Sequence, residues 1–259
     1  LPQARPEAVP LSYAQARLWF LQQFEGASST YNIPLALRLT GSLDADALEA
    51  ALNDVVSRHE SLRTLFPNED TGRQLILDAP QVRLGLHRIE VSSPDQAMRS
   101  LEEDAGQPFD LATALPIRAT LISEADDSHI LLILLHHIAG DGGSMAPLAA
   151  DLSAAYAARL DGKAPDWAPL PIQYADYAIW QRDRLGHEDD PDSTMAAQIA
   201  YWRTELDGLP QRLDLPADLP RPTVASHRGA HCPLDVPAEL HQQLADLASA
   251  HGTTIFMVL

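Results

Sequence analysis

The sequence predicts an α/β fold of at least one and a half lobes, and three observations carry that expectation. The first is a run of six consecutive aliphatic residues, Ile130 to Leu135, that stops at a glycine-rich turn. So short a continuous apolar run is the pattern of a strand buried on both faces. The second is the interleaving of helical and strand patterns along most of the chain. The third is the proline-dense segment 208–228, which reads as an extended linker and is followed by a further strand and helix.

Taken in order, a proline-rich lead ends at Ser12, which has capping-box spacing to Gln15 for a helix through LSYAQARLWFLQQF. Ala14, Leu18 and Leu21 form its expected apolar set, with Trp19 beside them. IPLALRLT (33–40) alternates as a strand and Gly41 ends it. Asp44 is the expected cap of the next helix, with Leu48, Leu52, Val55 and Leu62 on one face and Arg58, His59, Glu60 and Arg63 at its far end. Thr64 to Phe66 and Gln74 to Leu77 read as short strands around the turn from Pro67 to Gly72.

LGLHRIEV (84–91) is a further strand, and Ser93, Pro94 and Gln96 open a helix as cap, first-turn proline and box residue. PIRATLIS (116–123) is joined by the turn EADDS to the aliphatic run, as a hairpin. Ser144 is the expected cap of the helix MAPLAADLSAAYAARL. A loop then leads to two amphipathic helices, PIQYADYAIWQRDRL and STMAAQIAYWRTELDGL, separated by the acidic loop from His187 to Asp192. After the linker come a strand, HCPLDV (231–236), and a helix, PAELHQQLADLASAHG. The apolar end TTIFMVL reads as a helix just starting, so the chain is expected to stop within a second lobe.

Composition narrows the function. Asp and Glu number 36 against 18 Lys and Arg, a net charge of −18. That balance argues against a nucleic acid or an anionic membrane as partner. One cysteine, Cys232, excludes an internal disulfide and fits a reducing cytoplasm, and no activating neighbours recur around it. The opening LPQARPEAVPLS lacks the apolar core of a signal peptide. No aliphatic run approaches the roughly 20 residues of a membrane span.

The chemistry-bearing stretch is the end of the aliphatic run, HHIAGDGGS (136–144). Adjacent strand residues face opposite ways, so His136 and His137 cannot both line one cavity. One is expected to be structural and the other functional. A zinc site needs three convergent ligands, and His137 with Asp141 supplies at most two, so no metal is expected. Asp141, in a tight turn under a buried strand, is expected to need a cationic partner, which the helix end at Arg58 and Arg63 can supply. The Gly-Asp-Gly-Gly turn allows close backbone approach to a ligand. There is no nucleophile elbow, so Ser144 reads as a cap, and no phosphate-binding glycine motif.

LSYAQARLWFL (11–21), RHESLRTLF (58–66), HHIAGDGGS (136–144) and YADYAIWQ (174–181) resemble, in order and spacing, the first four core motifs of condensation domains in non-ribosomal peptide synthetases. The resemblance implies a chloramphenicol-acetyltransferase-like fold, two α/β lobes with an active-site tunnel between them. The N-terminal lobe, a mixed sheet flanked by helices, is expected over residues 1–180. A helical and proline-rich linker follows over 181–229, then the start of the C-terminal lobe over 230–259. The implied reaction is amide formation: the amine of a carrier-bound acceptor aminoacyl group attacks an upstream carrier-bound peptidyl thioester. Upstream donor and downstream acceptor carrier proteins are the implied partners, with an adjoining adenylation domain. The resemblance implies no directly bound cofactor, because the substrates arrive on phosphopantetheine arms.

By the same resemblance His137 is the catalytic, tunnel-facing histidine and His136 its structural neighbour. Asp141 is a structural member of the motif paired with Arg63, and Gly142 leaves the turn open to the tunnel. An α-amino group with a pKa near 8 is mostly protonated at neutral pH, and its attack creates an N-protonated tetrahedral species. A histidine, with an ordinary pKa of about 6.5, suits a relay for that proton. Orienting the amine or stabilising charge is the other role open to it, since a thioester is already activated.

Epimerisation domains share the fold, but their second motif departs from the RHESLRT pattern intact here. Heterocyclisation domains replace the histidines with aspartates. Related recruitment platforms for tailoring enzymes typically degrade the histidine motif, and an acyltransferase for free small molecules has no need of RHESLRT or YADYAIW. The Ala139-Gly140 pair resembles domains that take a D-configured donor. The family usually has Trp after the Asp-Gly pair, where this chain has Gly143, which implies looser packing behind the turn. With the later core motifs absent, the tunnel is expected to have one wall, and activity is expected only with a C-terminal lobe. The isolated 259-residue chain should therefore form no amide between loaded carrier proteins. Detectable product in that assay would contradict this.

Overall fold

The computed structural model describes the chain except residues 1, 3, 27, 69–71, 215, 224–228, 230 and 231. The elements of the first compact unit, Leu1–Gln211, are β1 (Val9–Pro10), α1 (Tyr13–Glu25), β2 (Asn32–Thr40), α2 (Ala45–Arg58), β3 (Thr64–Leu65), β4 (Arg73–Ile76), β5 (Leu86–Glu90), α3 (Pro94–Ala105), β6 (Ile117–Ala125), β7 (Ser128–His136), α4 (Met145–Leu160), α5 (Tyr174–Leu185) and α6 (Thr194–Glu205). The second unit, Arg212–Leu259, holds α7 (Ala238–Ala250) and α8 (Ile255–Val258). Position 180 lies inside α5, and α6 belongs to the first unit; the two compact units divide at 211/212, within the segment 181–229 expected as linker. No helix among the described residues is long and apolar enough to cross a membrane.

The main sheet has the order β2-β7-β6-β5. β2 and β6 flank β7 antiparallel, and β5 joins β6 in parallel through the α3 crossover, so the sheet is mixed. β6 and β7 form the expected hairpin. Their neighbours take up the backbone groups of β7 on both edges, which lets its aliphatic side chains be buried on both faces. On one face Leu131, Ile133 and Leu135 pack with Leu48, Leu52 and Val55 of α2 and with Leu148 and Leu152 of α4. On the other, Leu134 meets Leu11 and Leu18 near α1 together with Phe66 and Phe109, while Ile130 meets Ile122 and the α3 residue Ala97. A small antiparallel sheet, β1-β4-β3, lies apart from the main one. The two-residue β1 sits in the lead that the sequence offers only as proline-rich.

Helix starts follow their caps. Ser12 Oγ accepts from Gln15 N at 3.1 Å, and Gln15 Oε1 accepts from Ser12 N at 2.9 Å. This box turns Gln15 inward, where its amide meets Gln74 at 3.4 Å. The buried stripe therefore runs through Leu11, Gln15 and Leu18, while Ala14 is exposed and Leu21 half-buried, unlike the apolar set expected. Asp44 caps α2 through Asp46 N and Ala47 N, and Ser93 caps α3. Leu62 is buried as expected, but from a separate 3-10 turn, Glu60–Arg63, that begins after α2 has ended.

Ser144 stands at the N-cap of α4 as expected but makes no side-chain cap bond there; the side-chain cap is that of Asp141, at the start of the short 3-10 turn before it. One expectation fails. Of the expected strand HCPLDV, residue 231 lies outside the described residues and 232–236 form no strand. A strand needs a neighbour to accept and donate its ladder bonds, and no described segment of the second unit pairs with this one. The tip of the expected turn after Pro67 (69–71) and part of the expected linker (224–228) also lie outside the described residues.

Because Ile133 is fully buried on the central strand, Ile133→Ala should lower the unfolding free energy of the first unit by about 2–5 kcal/mol. Ser12→Ala, which removes one cap, should cost about 1 kcal/mol. Urea denaturation checks that order, and a larger loss for Ser12→Ala would contradict the packing described.

Candidate active site

The aliphatic run of β7 delivers its terminal histidines to two different environments. His136 is the last residue of the strand and 1 % exposed. Its Nδ1 accepts from Ile138 N at 3.1 Å, and its ring meets Phe109 edge-on with centroids 5.9 Å apart. Burial, and secondarily the neighbouring His137, holds its pKa down to about 4, so the ring is neutral at pH 7. An accepting Nδ1 requires that neutral form.

His137 is exposed. Its backbone N–H donates to Tyr31 O at 2.8 Å, one step beyond the β2/β7 ladder, so its main chain is fixed while its side chain reaches solvent. Among the described residues its imidazole makes no hydrogen bond to another side chain. His136, the last strand residue, is buried, whereas His137 stands in the turn just beyond it and is exposed.

The turn beyond is held by Asp141. Its Oδ1 accepts from Ser144 N at 3.1 Å and from Ser144 Oγ at 3.0 Å, and Ser144 Oγ accepts in turn from Asp141 N at 3.0 Å. This reciprocal box closes the 3-10 turn Gly142–Ser144 that leads into α4. The expected ion pair with Arg63 is not formed. Asp141 is exposed, so its charge stays hydrated and neutral donors suffice. Arg63 instead donates to Leu77 O, lies 3.7 Å from Glu60 Oε1, and ties the 3-10 turn 60–63 to the end of β4. Gly142 is exposed, and a Cβ built there would meet no atom within 4 Å, so the turn faces open space at that point.

Behind the turn lies a cavity of about 280 Å³, lined by His59, Leu62, Leu135, Gly140, Gly143 and Leu148 among others. Among the described residues no three His, Cys, Asp or Glu side chains converge as a metal would require. Cys232 is an exposed free thiol of the second unit.

Sequence reasoning missed the part played by the start of α5. Gln173 Nε2 donates to Arg58 O at 2.9 Å, and Gln173 Oε1 accepts from Glu60 N at 3.1 Å. The Tyr174 and Ser12 hydroxyls share a hydrogen bond of 3.0 Å. Desolvation raises the Tyr174 pKa, and the Asp141 charge adds to that rise. Tyr13 N and Leu11 O are bound by Gln181 and Arg182. The four stretches 11–21, 58–66, 136–144 and 174–181, far apart in sequence, are therefore neighbours in the first unit. The resemblance of 174–181 to a family motif was the one signal in the sequence that this segment has a part to play.

Comparison with known proteins agrees with this arrangement. The condensation-domain family matches residues 6–259, and the chain belongs to that family. It is 53 % identical over 258 residues to the isonitrile lipopeptide synthase of Mycobacterium tuberculosis, covering 98 % of this chain and 10 % of that protein. It is 50 % identical over 256 residues to a dimodular nonribosomal peptide synthase of Bacillus subtilis, covering 98 % and 11 %. Among solved structures, the X-domain from teicoplanin biosynthesis superposes with a TM-score of 0.86 at 41 % identity, over 97 % of this chain and 55 % of that one. The first condensation domain of the CDA synthetase shares the fold, with a TM-score of 0.69 at 21 % identity over 96 % and 59 %. The chain thus spans about a tenth of these curated relatives and about half of these solved chains. The α/β architecture with its mixed sheet is the chloramphenicol-acetyltransferase-like fold expected.

The buried histidine gives a pH test. An unfolded chain binds a proton at position 136 below about 6.5, whereas the folded chain binds it only near 4. More protons are bound by the unfolded state in that window, so stability falls as pH drops through it. His136→Gln should remove a slope of up to about 1.4 kcal/mol per pH unit from the unfolding free energy. Denaturation curves between about pH 7 and pH 4 would contradict this if wild type and variant showed the same slope.

Proposed function

We propose that this chain is the histidine-bearing part of a peptide-bond-forming condensation domain in a cytoplasmic non-ribosomal peptide synthetase. The observation that carries the reading is His137: its backbone is fixed by the sheet and its imidazole is free, beside an intact HHIAGDG turn. A carrier-bound acceptor amine attacks the carbonyl carbon of the donor thioester. The C–N bond forms, the C–S bond breaks, and the donor's phosphopantetheine leaves as the thiol. The proton shed by the amine passes to or by His137, which otherwise orients the amine. His136 stays neutral and packs the strand end, Asp141 shapes the turn, Gly142 leaves it open, and Arg63 braces the neighbouring 3-10 turn. Upstream and downstream carrier proteins and an adenylation domain are the partners of this reading, with the donor D-configured by the Ala139-Gly140 resemblance.

A second reading has an observation of its own. The teicoplanin X-domain, 40 % identical over 97 % of this chain, has been solved in a complex with OxyB. By that likeness the chain would serve as a docking platform for another enzyme. The intact histidine turn favours catalysis over it.

His137→Ala in the intact module should lower the rate of amide formation by about 10²–10⁴-fold if the imidazole moves the proton. The assay uses loaded donor and acceptor carriers with D- and L-configured donors, so it reads donor configuration as well. Unchanged product formation would overturn the catalytic reading in favour of the platform.

A further inference from the structure

The cavity behind the histidine turn has a built shape. Its floor is apolar and buried, formed by Leu62, Leu135 and Leu148, whereas Gly143 and Pro147 at its rim are exposed. It is therefore a cleft running from the surface to the core. One wall is braced: His59 Nε2 lies 2.7 Å from Asp151 Oδ2, which also accepts from Arg58 Nε at 2.9 Å. Ala139, Gly140 and Gly143 line the cleft and belong to the same turn that carries His137.

Size and lining restrict what it can take. About 280 Å³ is at the small end of the roughly 300–1,000 Å³ typical of ligand sites, and is room enough for one side chain. Its leucine floor rewards burial of apolar surface. A Cβ at Gly143 would meet only Asp141 Oδ1, at 3.3 Å, and no residue of the cleft floor within 4 Å, so this rim position has room for a side chain once Asp141 yields slightly.

We propose that this cleft receives the side chain of one of the two aminoacyl thioesters, and that Gly143 sets the size it admits. Bulky apolar side chains are preferred to glycine. The inference rests on the condensation reading and gives that site a substrate class.

The test measures kcat/KM for amide formation by the intact module, with phenylalanyl or glycyl groups placed in turn on the donor and on the acceptor. In wild type the phenylalanyl-to-glycyl ratio should exceed one on one arm, which identifies the thioester involved. Gly143→Trp should lower that ratio by about tenfold or more, in line with discrimination by a filled apolar pocket. Leu148→Ala, which deepens the floor, should move the ratio the other way for a larger naphthylalanyl group. Because each result is a ratio within one enzyme, a general loss of activity or folding does not imitate it. Ratios unmoved by both substitutions, on both arms, would overturn the proposal while leaving the condensation reading intact. Absence of any product from the wild type with all pairs would overturn both.

Discussion

A strand can be apolar on both faces only if neighbours on both edges take its backbone hydrogen bonds, and β7 meets that condition. β2 and β6 flank it, α2 and α4 cover one face, and α1, α3 and the Phe109 region cover the other. Everything at the candidate site inherits its position from this strand. The ladder buries His136 as the last strand residue, and one further backbone bond, from His137 N to Tyr31 O, fixes the main chain where the turn begins and leaves the next imidazole in solvent. The protein needs no special loop to present its histidine; it needs a rigid strand that ends one residue too early to bury both.

The turn after the strand shows the same economy. A charged aspartate in a tight turn suggests an ion pair, yet Asp141 stays in water and spends its carboxylate on the N–H and hydroxyl of Ser144. The cations expected for it serve elsewhere: Arg58 binds Asp151, and Arg63 braces the segment between α2 and β4. The turn is thus set by local hydrogen bonds. The start of α5 instead holds the start of α1 and the end of α2, and brings Tyr174 within reach of the Asp141 field.

Much of this was legible in the sequence because it is local. The Ser12-Gln15 box, the Asp44 and Ser93 caps, the β6/β7 hairpin and the buried aliphatic run all declare themselves within a few residues. The family was legible too, from four spaced motifs; the unequal burial of His136 and His137 was expected from strand alternation but arises because the strand stops at His136. What escaped depends on distant partners. Ala14 lost its inward place to Gln15 because a polar box residue can be buried when Gln74 receives it. The partners of Asp141 and Arg63 could not be read from charge alone, because exposure decides whether a carboxylate needs a cation. The strand expected at 231–236 had the right residues and no described neighbour.

The account stands on the unequal burial of two adjacent histidines. Brief acylation of the folded chain with diethyl pyrocarbonate, followed by peptide mapping, reads that inequality directly. His137 should be carbethoxylated rapidly while His136 stays unmodified until the chain is unfolded. Equal modification of the two, or faster reaction at His136, would contradict the placement from which the catalytic reading is built.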